Sequence, residues 1–226
     1  MTLIFGICGI LGGLIVASAD MLLDMKGIDN VKSGRCGMID SAWSRMDIRR
    51  FPLSILLAAI GTPLLFLGMT ALAGQMIQGN PVFGKAFWYV SSVGFLSGGF
   101  IHTVICLLPV LYKTLSPAYG KEAAEMAVNA VYDAIKLPFW VFYLVLTLVP
   151  SIMILWALFA GYLMLSPWYG LLTFPSLMII GQVLDKLYHK WFYDLPHIIM
   201  PTLSLGLMGL LAVLNTLSKL SSVSVI

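Results

Sequence analysis

The side chains of this chain that could move a proton or hold a ligand crowd toward one end of its apolar segments. Asp20 and Asp24 close the first segment four residues apart, which puts both carboxylates on one face of a helix. His102 lies inside the third segment, Asp133 precedes the fourth, and Asp185, His189, Asp194 and His197 gather before the last. Imidazole beside carboxylate makes an acid/base pair, and both groups also ligate metals. Asp20, Asp24, His102, Asp133, Asp194 and His197 are therefore the candidate ligand-binding residues. A metal on His102, His197 and Asp20 rests on ligand types alone, because the sequence has neither His-Glu-x-x-His nor a paired cysteine motif. No catalytic residue is assigned and no cofactor is implied.

Nucleophile chemistry finds less support. Ser18 and Ser97 lie in neither a Gly-x-Ser-x-Gly elbow nor a Ser-x-x-Lys arrangement, and both read as small packing hydroxyls bonded to the preceding turn. Phosphate loops and nucleotide fingerprints are absent. Cys8, Cys36 and Cys106 are an odd number and imply no disulfide framework.

The elements that must position these groups follow from composition. With 60% apolar and only 10% charged residues, and a mean hydropathy of +0.96, a soluble fold would lack a polar surface, so lipid is the solvent. Backbone groups in hydrocarbon bond internally, and long unbroken apolar runs without strand alternation mean helices rather than a barrel. The expectation is an all-α polytopic membrane bundle in one domain, residues 1–226. Windows of about 20 apolar residues give six transmembrane helices: 3–23, 51–72, 87–110, 138–161, 168–184 and 197–217.

Basic residues orient the bundle. Lys26, Lys32, Arg35, Arg45, Arg49 and Arg50 fall in the first loop, Lys113, Lys121 and Lys136 in the third, and Lys186 and Lys190 in the fifth. Only Lys85 and Lys219 oppose them. The positive-inside rule makes those three loops cytoplasmic and puts both termini outside, in a multi-pass protein of a bacterial inner (plasma) membrane. The net charge of +3 then requires no nucleic-acid partner, because membrane lipid and topology account for it.

Two cytoplasmic segments read as ordered. A helix over about 117–136, starting at Ser116-Pro117, has Ala123, Ala127, Ala130, Val131, Ala134 and Ile135 on its apolar face and is expected to lie in the interface. Residues 39–50, with Ile39, Trp43 and Met46 apolar among arginines, read in the same way. Small-residue stripes run through Gly9, Gly13 and Ala17 to Asp20, and through Gly94 and Gly98 to His102 and Cys106. Packing one stripe on the other would set Asp20 against His102, and a stripe facing lipid would favour a homo-oligomer or a structural subunit.

Ser18-Ala-Asp20-Met-Leu-Leu-Asp24, Trp43-Ser-Arg-Met46, Gly99-Phe-Ile-His102 and Trp191-Phe-Tyr-Asp194-Leu-Pro196 resemble a group of bacterial six-span membrane proteins of unknown activity. That resemblance implies the fold and no chemistry. The residues themselves point to a cytoplasm-facing polar pocket for a small amphipathic or lipid-like ligand, in its sharper form an intramembrane enzyme using acid/base or metal chemistry. A small proton-coupled transporter is the rival reading, and needs polar residues that continue to the outer face.

Overall fold

The computed structural model describes residues 1–34 and 37–223, and Arg35 and Cys36 lie outside them. The chain forms α1 (Thr2–Asp24), a two-residue hairpin of β1 (Lys32–Ser33) and β2 (Ile39–Asp40), a 3-10 turn over Ser41–Ser44, α2 (Arg50–Gly79) and α3 (Pro81–Tyr119). It continues as α4 (Lys121–Leu146), α5 (Leu148–Phe159), a 3-10 turn over Pro167–Leu172, α6 (Phe174–Leu187), α7 (His189–Phe192), α8 (Leu195–Ile198) and α9 (Met200–Val223). The fold is all-α apart from the hairpin. Five stretches of it, Thr2–Asp24, Arg50–Gly79, Pro81–Tyr119, Lys121–Phe159 and Met200–Ser222, are long and apolar enough to cross a membrane.

Glycine sets the centre of the bundle. A Cβ on Gly9 would lie 2.6 Å from the Cα of Gly68 and 3.0 Å from that of Gly209, and one on Gly13 would lie 2.5 Å from the Cα of Gly206. One on Gly12 would strike the Leu65 nitrogen at 2.5 Å. Backbones of α1, α2 and α9 therefore touch, which only hydrogen at these Cα positions permits. The pairings also fix direction. Gly6 meets Gly209 and Val213 while Gly13 meets Gly206, so α9 runs antiparallel to α1, as does α2. The α1 stripe is thus spent on α2 and α9 rather than on α3. The Gly94 and Gly98 stripe of α3 packs on Leu146 of α4 instead.

The half of the bundle remote from the basic loops is closed by a buried amide network. Gln75 Nε2 donates to the Ala212 carbonyl and to Thr216 Oγ1, each at 2.8 Å, and Asn215 Nδ2 donates to Gln75 Oε1 at 2.8 Å. Asn215 Oδ1 accepts from the Met164 amide at 2.6 Å, which ties the chain leaving α5 to α9.

The segment expected as a single span over 168–184 is broken. Pro167 starts a 3-10 turn, the Thr173 hydroxyl bonds the Gly170 carbonyl at 2.7 Å, and α6 begins only at Phe174 with Pro175 in its first turn. Its 14 residues reach about 21 Å, short of a hydrocarbon core of about 30 Å. The stretch nevertheless runs the length of the bundle, from Tyr162 against Gly79 at one end to Tyr193, whose hydroxyl accepts from the Gly27 amide at the other. A second break, at Thr147 between α4 and α5, follows from Pro150, which has no N–H to donate to the Leu146 carbonyl.

A cap covers the basic end. Arg50 donates to the carbonyls of Met21, Leu22 and Met25 at the end of α1, and Lys113 donates to those of Trp43 and Ser44. Ile39, Trp43 and Met46 are buried as expected of apolar residues in that segment, but on a hairpin and a 3-10 turn rather than an interfacial helix. The helix expected from Pro117 begins instead at Lys121, because α3 runs on through Pro117 to Gly120, whose φ of 85° breaks it. Its buried stripe is Ala124, Val128 and Tyr132, turned toward the cap and α3, while Ala130, Val131 and Ala134 are exposed.

Gly68→Leu should lower stability in detergent unfolding by about 1–3 kcal/mol, because the added side chain has only backbone to displace. Gly99→Ala, with open space around its Cβ position, should be neutral or gain up to about 1 kcal/mol of helix stability. Equal midpoints for the two variants would show that the glycine contacts do not hold the bundle together.

Candidate functional site

Close packing of α1 against α2 and α9 brings Asp20, Ser54 and Thr202 to one level, where His102 of α3 joins them. Asp20 of α1 faces His102 of α3, with Oδ1 and Nδ1 3.3 Å apart, and its other oxygen accepts from the Thr202 hydroxyl of α9. His102 Nε2 lies 2.9 Å from Ser54 Oγ of α2, and Ser54 donates to the Ala19 carbonyl at 2.7 Å. Cys106, one turn beyond His102, places its thiol 3.5 Å from Ser54 Oγ.

Proton bookkeeping fixes the roles. Ser54 has one hydroxyl proton and commits it to a carbonyl, which can only accept, so the Nε2 of His102 must carry the hydrogen of their shared bond. Nδ1 then faces the Asp20 carboxyl, and their contact is a hydrogen bond when one proton lies between them. The connectivity copies a serine–histidine–aspartate triad, yet Ser54 is fully buried and does not line the cavity beside it. Ser54 positions His102, therefore, and is not a nucleophile. Ser18 and Ser97 donate to the Leu14 and Val93 carbonyls of their own helices.

The pair opens onto a cavity of about 530 Å³. Toward the middle of the bundle its wall is apolar, with Val16, Leu65, Phe95 and Leu205. Tyr132, Phe139, Trp140 and Tyr143 of α4 form one side, and Phe174 and Met178 of α6 meet them at the Tyr143–Phe174 ring contact of 6.0 Å. At the capped end the wall is charged. Lys26 lies 2.7 Å from both Asp24 and Asp40, and Asn30 donates to Asp40 at 2.7 Å. Burial disfavours the Lys26 charge, and the two carboxylates more than offset that, holding its pKa above the ordinary 10.5. Trp43 lines the same end, with its indole N–H buried away from the open volume and without an acceptor among the described residues. A smaller cleft, sharing Asp24, Lys26, Lys32 and Asp194, leads on to Asp185 and His189.

Five of the six candidate residues, Asp20, Asp24, His102, Asp194 and His197, line this cavity. Asp194 stands at its rim in a left-handed turn of φ 54°, 3.9 Å from His197. Asp133 does not line it. One residue on from Tyr132, it points about 100° away round the helix and pairs with Lys136 at 2.9 Å. His197 and the Asp20–His102 pair occupy separate parts of the wall, and among the described residues no three His, Cys, Asp or Glu side chains are placed to hold a metal ion.

Ser54 and Thr202 escaped the sequence reading, as did the α4 aromatics as cavity wall. One signal was available: Ser54, Ala58 and Thr62 recur every four residues in an otherwise bulky apolar helix, and Ala58 and Thr62 do line the cavity.

Asp20→Ala and His102→Ala should each destabilise the solubilised protein by leaving the partner unpaired in a buried site. The double variant should cost less than the two single costs added together, by about 0.5–3 kcal/mol. Strict additivity in the unfolding midpoints would show that the two groups do not interact.

No curated protein and no solved structure matches the chain. A family model described as a family of unknown function, DUF6796, matches residues 1–219. Covering nearly the whole bundle and every residue of the cavity, that match identifies the chain as a member of this family.

Proposed function

We propose that this chain is an integral protein of a bacterial inner membrane that holds a small amphipathic, lipid-like ligand in a pocket reached from the cytoplasmic side. The observation that carries the reading is the cavity, whose volume of about 530 Å³ falls in the range usual for small-molecule sites. It is apolar toward the middle of the bundle and charged at the cap, so it complements a molecule with a tail and a head. Acid/base chemistry on the ligand is the sharper form of this reading, supported by the 3.3 Å contact of Asp20 with His102 at the cavity wall.

Six crossings with both termini outside fit the same reading. Antiparallel α1 and α9 and the passage of residues 162–193 along the bundle support an even number of passes, and the basic loops lie toward the capped end. A transporter would need polar groups continuing beyond Thr62 and Thr147. In that half, Gln75, Asn215 and Thr216 are spent on one another and on backbone, and Thr70 and Ser91 are buried hydroxyls without a partner among the described residues.

Two measurements test this. Cysteines introduced at Lys121 and Lys85, in a chain lacking Cys36, should be labelled from opposite faces of the membrane, the first from the cytoplasm; labelling from one face would overturn the topology. Native mass spectrometry of protein in nanodiscs of inner-membrane lipid should find one retained amphiphile per chain. Thr62→Phe, which puts a ring into the cavity, should lose it, while Lys85→Ala should keep it. Equal retention by Thr62→Phe would remove the cavity as the binding site.

A further inference from the structure

We infer that the head of the bound amphiphile is a cation, an amine or quaternary ammonium, held against the aromatic wall of α4 and α6. This rests on the pocket reading above and adds the charge of the ligand.

The wall is continuous. Phe139 and Trp140 have ring centroids 5.2 Å apart, Phe139 stacks on Tyr143 at 5.9 Å, and Tyr143 meets Phe174 edge-on at 6.0 Å. All four line the cavity opposite α1, which carries Asp20 and Asp24. An aromatic face attracts a cation through its quadrupole, and does so more strongly where water is excluded. An interfacial belt would explain Trp140, which is 53% exposed, but Phe139, Tyr143 and Phe174 are half-buried and turned inward.

Charge selects the same ligand. An anionic head would need a free Lys or Arg, and four of those described near the capped end are committed. Lys26 is held between Asp24 and Asp40, Arg50 by three carbonyls of α1, Lys113 by two carbonyls of the cap and Arg45 by Asp29. Lys32 is the remaining described basic residue on the cavity wall, out on the exposed hairpin. Against it stands Asp194, whose carboxylate is no nearer than 3.9 Å to His197. Among the described lining residues, Asp24, Asp40 and Asp194 outnumber Lys26 and Lys32, so a carboxylate or phosphate head would be repelled.

Sub-micellar dodecyltrimethylammonium, dodecylamine, dodecanol and dodecanoate, added to the full chain in nanodiscs, separate the possibilities by thermal unfolding and by titration. The two cations should raise the unfolding temperature, and the alcohol and the carboxylate should bind at least about tenfold more weakly. Trp140→Leu with Tyr143→Leu should weaken cation binding about tenfold and dodecanol binding less than about twofold, since leucine keeps the apolar surface and loses the ring face. Dodecanol or dodecanoate binding as tightly as the cations, or equal losses for cation and alcohol in the double variant, would overturn the cationic head and leave the amphiphile pocket standing. No stabilisation by any of the four would overturn both.

Discussion

Backbone contact among α1, α2 and α9 is the constraint on which the rest of this protein depends. Where glycine Cα atoms touch, three helices lie so close that side chains just beyond the glycines are forced together whatever their polarity. Asp20 follows Gly13 by two turns on α1, Ser54 precedes Gly61 on α2, and Thr202 precedes Gly206 on α9. The aspartate therefore meets a hydroxyl from α9 and, across α2, a histidine from α3. A polar group in such a dry place is costly unless each donor finds an acceptor, and here each does.

Close approach on one side leaves space on the other. Leu146 fills the groove at Gly94 and Gly98 and holds α4 by its far end, while Pro150 breaks the helix just beyond. Between α4 and the core the space is not filled, and rings from α4 and α6 line it. The cavity is thus the remainder left when three helices pack at glycine distance and a fourth does not. Its charged end is built by a different device, the cap, which Arg50 and Lys113 fasten to helix ends through carbonyls that would otherwise lack donors.

Burial divides the polar residues into two kinds. Gln75, Asn215 and Thr216 satisfy one another and the Met164 amide, which makes them fasteners of the half of the bundle remote from the cap. Asp20 and His102 pair with each other at the wall of open volume. Groups of the second kind are the ones a further molecule can reach, and this contrast is the physical basis of the proposed pocket.

Composition and the lengths of the apolar runs determined the helical class and the positions of the long helices, because in hydrocarbon a backbone bonds itself in a helix or a closed barrel and these runs lack strand alternation. The clustering of acids and histidines at one end was equally legible, as was the meeting of Asp20 with His102, although it was expected from α1 packing on α3 and arises from α1 packing on α2 and α9. Tertiary structure alone decided which small residues face which. A glycine stripe states that something comes close and not what, so the partners of Gly9 and Gly94 could not be read from spacing. It also decided that Asp133 turns outward, that Ser54 rather than Ser18 holds the histidine, and that residues 168–184 break into a 3-10 turn and a short helix. Those outcomes depend on rotations of about 100° per residue and on contacts from elements far away in sequence, which periodicity along a single helix does not encode.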